Sequence, residues 1–325
     1  MGTSTIDSRQ LADLVQVACR APSVHNSQPW RLVARGGELR LFLAAERVPH
    51  ATDHSGREAL ISCGALLDHI RVAATASGWT AVIARFPNPN ELDHLATIAF
   101  RRREFVTDAD RARADAILRR RTDRLPFAAP PDWAVFEPVL RSTVDPDKAT
   151  VEILDDSVRP ALAEASRLTE ALRRYDTSYH AELQWWTGPS EAAEGLPQTN
   201  LASAAESERV DIARTFPASA DLDRRPEVTR DHSAIAALST RGDGRREALG
   251  CGEVLSDVLL EATLAGLATC TLTHITELDT SRSIIRTLTA DDPQLLIRIG
   301  KVPDTAELPP ATPRRPLAEV LEFRG

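Results

Sequence analysis

The chain is short of lysine, of tyrosine and of paired cysteine. Lysine occurs only at Lys148 and Lys301, so its positive charge is almost all arginine, and a formal net charge of −8 argues against a general nucleic-acid binder. The four cysteines, Cys19, Cys63, Cys251 and Cys270, include no C-x-x-C pair. That excludes a disulfide framework or zinc knuckle and leaves them as small buried hydrophobes. No stretch approaches the roughly 20 apolar residues that a membrane span needs. The opening MGTSTIDSRQLADLV has no basic n-region ahead of an apolar h-region, and lacks the residue a myristoylation signal requires, so a cytoplasmic location is expected. A P-loop, a complete G-x-G-x-x-G and a G-x-S-x-G elbow are all missing. His50, Asp53 and His54 have metal-like spacing, but no further cluster supplies the remaining ligands, so no metal is expected.

What is present, at 325 residues and 42% hydrophobic content, is enough chain to bury a large core in one domain or two. Residues 8 to 20 place Leu11, Leu14, Val15 and Ala18 at helical spacing behind a cap at Asp7 or Ser8. RLVAR and ELRLFLA alternate around Gly36-Gly37, the pattern of a tight hairpin. REALISCGALLDHIRVAATASG, 57 to 78, is apolar almost all round and reads as a central buried helix. Strands follow at about 79 to 86 and 94 to 100, then a helix at about 108 to 120, a strand near 149 to 154 and a helix from about 158 to 174. From 175 to 232 periodicity fades, which is long for a structureless loop. A second buried helix, 245 to 266, a strand through LATCTLTHI, a helix from about 279, the strand QLLIRIG and a proline-rich tail complete the chain.

Aligning Cys63-Gly64 with Cys251-Gly252 also aligns Gly78 with Gly266, and REAL recurs at 57 to 60 and 246 to 249 with a slip of one residue. The two helices read as copies, each the centre of one half, packing into one shared core. Ala-rich buried helices can also look alike by chance. The halves divide the chain at 1 to 105 and 106 to 325, the second carrying the irregular insertion 175 to 232.

Two stretches concentrate hydrogen-bonding chemistry. RAPSVHNSQPW, 20 to 30, sets Ser23, His25, Asn26 and Gln28 behind a helix-breaking Pro22. RRTDR, 120 to 124, ends a run of nine arginines between Arg101 and Arg124 that acidic residues interrupt. Taken alone, the first reads equally as a helix start capped by Ser23, and the second as a solvated helix end.

Together, AP-S-x-x-N-x-QPW, RRTDR, the helix ending in AGLAT and the tail ATPRRPLAEV resemble the FMN-dependent nitroreductase superfamily. The two halves, with TDHSGREAL and RRRTDRLPF, are similar to its fused, Acg-like subfamily. The resemblance implies an α+β nitroreductase-like fold in which the halves mimic the family's homodimer, with antiparallel-rich sheets around buried central helices and one complete FMN site in a monomer. It implies Arg120, Thr122, Arg314 and Arg315 at the phosphate, Arg124 near the N1 and O2 edge, and Ser23, Asn26 and Gln28, helped by Arg20 and His25, at the ribityl chain and ring edge. His274, Ile275 and Thr276 fall where the family faces flavin N5, although the usual Glu-Gly pair is absent and His274 also reads as a packed strand-end residue. Tyr175, Tyr179, Trp185 and Trp186 read either as a lid over the flavin or as a helix-packing stripe. The implied activity is NAD(P)H-dependent reduction of nitro compounds, quinones or related acceptors, with no side-chain acid or base required. The alternative is FMN storage or sequestration under a lid, in a subfamily associated with hypoxia and dormancy.

Overall fold

The computed structural model describes residues 5–188, 195–217, 222–304, 306 and 308–324. The parts of the irregular insertion at 189–194 and 218–221 therefore lie outside the described residues. The first helix, α1 (Ser8–Ala18), starts at a reciprocal cap: Gln10 N donates to Asp7 Oδ1 at 2.8 Å and Asp7 N to Gln10 Oε1 at 3.4 Å. Next come β1 (Trp30–Arg35) and β2 (Glu38–Leu43), joined by the two-residue turn Gly36-Gly37. Both glycines have positive φ, +59° and +81°, which this hairpin geometry demands. Helix α2 (Arg57–Ala76) leads to β3 (Trp79–Arg85) and β4 (His94–Arg102).

The second half begins with α3 (Asp108–Arg119) and α4 (Trp133–Thr143), followed by β5 (Thr150–Leu154), α5 (Arg159–Arg173), α6 (Thr177–Thr187) and the single turn α7 (Ala204–Ser207). Then come β6 (Ala234–Thr240), α8 (Arg245–Leu264), β7 (Ala268–Leu272), α9 (His274–Glu277), α10 (Asp279–Arg286) and β8 (Asp292–Gly300). The chain closes with α11 (Leu317–Val320) and β9 (Leu321–Arg324). The stretch around 125 to 148 is more ordered than its prolines indicate, since it carries α4. The strand expected through Ile275 ends at Leu272, where the chain turns into α9.

This α+β fold is built on two sheets, one all antiparallel and one with a single parallel pair. One sheet runs β3-β4-β2-β1-β9 and the other β5-β6-β8-β7. Read from opposite ends, the first four strands of each occur in the same order: first, second, fourth, third, with the long helix between second and third. The tail breaks that correspondence, because β9 leaves the second half and pairs parallel with β1, Leu321 opposite Leu32.

Helices α2 and α8 cross at the centre. A Cβ on Gly64 would stand 2.0 Å from the Leu249 carbonyl oxygen, and one on Gly252 would stand 2.0 Å from that of Ile61. The core is continuous across this crossing, running from Leu39 and Leu41 through Leu66 and Leu67 to Leu249, Leu255, Leu295 and Ile297. Contrary to the sequence reading, α2 is long and apolar enough to cross a membrane by length and composition; 83% of that window is buried inside the protein, mainly against α8. The apolar surface is spent on the core.

Candidate functional site

A cleft partly open to solvent is lined by residues from widely separated parts of the chain. Its walls come from the 22–25 turn, the first turns of α2, residues 122 and 124, the segment 202–216, the end of β7 with His274, and Leu295 and Arg298 of β8. The two hydrogen-bonding stretches of the sequence thus reach one space.

The 22–25 turn is strained. His25, Asn26 and Gln28 have φ of +49°, +59° and +51°, left-handed values that non-glycine residues rarely adopt. Side chains hold the turn in place. Gln28 N donates to Ser23 Oγ at 3.1 Å, and Val24 N donates to Ser62 Oγ at 3.1 Å. Asn26 donates through Nδ2 to the carbonyls of Gly195 and Pro313 and accepts from Arg314 Nη1 at 2.9 Å, while Gln28 Oε1 accepts from Arg315 N at 2.9 Å. Ser23 and His25 line the cleft, but Asn26 and Gln28 do not: their amides bind the returning tail.

Outside the lining of the cleft, four guanidinium groups lie close to one another: Arg20, Arg120, Arg121 and Arg314, of which Arg120 and Arg121 line a second pocket. Among the described residues none of them is paired with a carboxylate. Arg314 donates to the carbonyls of Cys19, Arg20, Ala21, Thr312 and Pro313. Arg120 is 5% exposed and, among the described residues, reaches only the Arg20 carbonyl, at 3.4 Å, with Nε and Nη1 buried and without a partner. Burial, with Arg20 and Arg121 close by, lowers its pKa to about 10. Burial and the neighbouring Arg20 and Arg120 also push Arg314 well below its ordinary value. Uncompensated charge of this kind is stable only beside an anion. Arg315 stands apart, its guanidinium on the backbone of Gln28, Trp30 and Glu319.

Thr122 and Arg124 line the cleft itself. Thr122 bridges to Thr269, and the Arg124 guanidinium lies over Phe216, 5.2 Å from the ring centroid. His274 also lines the cleft, its Nε2 2.8 Å from Ser166 Oγ and its Nδ1 buried without a partner. Burial drives both His25 and His274 far below the usual histidine range, so both are neutral. Ile275 is core, and Thr276 donates to the carbonyls of Thr273 and Gln294; neither lines the cleft.

None of the four lid candidates lines the cleft. Tyr175 and Trp185 are 86% and 62% exposed. Trp186 is buried beside Trp185, and the buried Tyr179 accepts a hydrogen bond from Arg214 Nη1 at 2.9 Å. Helix α6 is docked through Glu182, which accepts from the backbone N–H groups of Ala51 and Thr52. The part of the insertion that walls the cleft is 202–216, with Phe216 and Arg214. Phe216 gave no sequence signal, being a single aromatic in an irregular stretch, and neither did Glu58, which lines the cleft from α2.

No family model matches the chain. Whole-length relatives do. The chain is 56% identical over 327 residues to a Mycobacterium tuberculosis H37Rv protein named "Putative NAD(P)H nitroreductase acg", with 100% of this chain and 99% of that protein covered. It is 36% identical over 342 residues to another from the same strain, "Putative NAD(P)H nitroreductase Rv3131", with 99% and 94% covered. Among solved structures, the FMN-dependent nitroreductase NfnB of Mycobacterium smegmatis in complex with NADPH matches at 20% identity and a TM-score of 0.39, covering 67% of this chain and 100% of that one. The whole-length relatives define the class as nitroreductase. The chain belongs to the nitroreductase superfamily, in its Acg-like branch.

Proposed function

We propose that the cleft holds FMN and that the protein uses NAD(P)H to reduce a small acceptor, a nitro compound or a quinone. The observation that carries this reading is Arg120: two guanidinium nitrogens buried without partners, in a group of four arginines that no carboxylate among the described residues neutralises. A phosphate dianion offers the oxygens that such nitrogens lack. Arg20, Arg120, Arg121 and Arg314 would hold the phosphate, Ser23, Thr122 and Arg124 the adjoining part of the cofactor, and Phe216 and His274 the walls around it. The flavin, when bound, supplies hydride transfer. The chain's own residues fix position and charge: Arg314 ties the tail to the strained turn, and Arg124 brings a cation to the cleft wall. On this reading the two halves act as a fused pair sharing one site, in a cytoplasmic monomer.

A second reading, storage of FMN without turnover, is favoured by one feature. The 202–216 wall is clamped, by the ion pair of Arg214 with Glu277 and by that of Arg224 with Glu206 at 2.7 Å. The test is the visible spectrum of the FMN-loaded protein under anaerobic conditions, before and after NADPH and then NADH. Rapid bleaching of the flavin bands supports the reductase; persistence supports storage; failure to take up FMN rejects both.

A further inference from the structure

Glu58 sits in the first turn of α2, 2% exposed, on the wall of the cleft. Both of its carboxyl oxygens are buried and neither has a hydrogen-bond partner among the described residues. The groups around it are all engaged elsewhere. Arg57 donates to Gln294 and to Thr276. Arg214 is paired with Glu277, which also takes Arg173 at 3.5 Å. Asp53 accepts from Ala59 N at 2.8 Å. Among the described residues nothing partners this carboxyl, which leaves the contents of the cleft to do so.

The other titratable groups lining the cleft are poor sources of a proton. His25 and His274 are neutral, and each has Nε2 occupied, by Thr52 Oγ1 at 3.2 Å and Ser166 Oγ at 2.8 Å. Arg124, Arg214 and Arg298 do not release protons near neutrality. Burial pushes the Cys270 thiol up. Glu58 differs from all of these. Burial first, then Glu277 and Asp53, raise its pKa well above the ordinary carboxyl value, against the weaker pull of Arg214 and Arg57.

We propose that Glu58 is the proton donor to the electron acceptor bound in the cleft, an uncharged molecule presenting a carbonyl or nitro oxygen. For a quinone the balance is quinone plus NAD(P)H plus one proton giving hydroquinone and NAD(P)+. The nicotinamide gives up the hydride, the Glu58 O–H bond breaks as the quinone O–H bond forms, and water returns a proton to the carboxylate. Acid catalysis by a placed carboxyl of raised pKa is the pattern this environment builds. The inference rests on the cleft holding the cofactor and acceptor proposed above.

The experiment compares wild type with Glu58→Gln, which keeps the shape and polarity of the neutral acid. Infrared spectra at pH 7 read protonation directly: a carboxylic-acid carbonyl band is expected in the wild type and absent in the variant. The FMN-loaded proteins are then reduced with dithionite and mixed anaerobically with p-benzoquinone. Reoxidation is expected to be about 10²- to 10⁴-fold slower in the variant, with the wild-type rate falling at alkaline pH and the variant's not. No difference band, or equal reoxidation rates with FMN bound, would overturn the proposal while leaving the cofactor reading intact. Failure of both proteins to take up FMN would overturn the cofactor reading, and the proposal with it.

Discussion

Gly64 and Gly252 meet at the crossing of α2 and α8, and their contact is reciprocal. The Cα atom of each would lie 2.8 Å from a Cβ placed on the other, and each such Cβ would meet, at 2.0 Å, the carbonyl oxygen three residues before the opposite glycine. This contact occurs at the pair the sequence aligns. Alanine at either site forces the two central helices apart. Gly64→Ala and Gly252→Ala are therefore each expected to cost about 3 kcal/mol, by similar amounts, as read from urea denaturation midpoints.

Arg120→Met separates binding from stability. Removing a buried, unpaired cation relieves the apo fold, so its Tm is expected to rise. The same change removes charge-assisted bonds to a phosphate, weakening FMN binding by about 10- to 100-fold in a fluorescence titration. A merely structural arginine would lower both.

Glu58 gives the stability a pH signature. Below its ordinary value of 4.5 the carboxyl is protonated in both folded and unfolded chains and costs nothing. As pH rises past 4.5 the unfolded chain loses that proton while the fold keeps it. Wild-type stability relative to Glu58→Gln should then fall by about 1.4 kcal/mol per pH unit, levelling off where Glu58 ionises in the fold. Denaturation midpoints of both proteins from pH 5 to pH 8 check the slope, and a constant gap would contradict it.

All four cysteines are free and buried, and burial raises Cys19 and Cys251 to about 12. Cys63 is raised further still. The native protein at pH 8 is expected to leave a thiol-specific dye almost unreacted, and all four should react in denaturant.

Much of this was legible because chemistry was dense in short stretches. RAPSVHNSQPW and RRTDR do converge on one cleft, and the Cys-Gly alignment located the helix crossing. What sequence hid was long-range. Nothing local says that residues 312–315 return to occupy the amides of Asn26 and Gln28, or that Leu321–Arg324 pairs with β1. The aromatic cluster gave a false emphasis, since Tyr175, ahead of α6, and Trp185, on it, face solvent while Phe216 walls the cleft. Glu58 was invisible for a plainer reason. A glutamate in a helix's first turn ordinarily complements the helix dipole, and only its missing partners mark it out.

The most direct test of a flavin held by uncompensated arginines is an FMN titration of wild type and Arg120→Met, followed by quenching of flavin fluorescence. Saturable binding to the wild type, weakened about 10- to 100-fold in the variant, is the expected result. Absence of binding, or equal affinity in the two proteins, would contradict it.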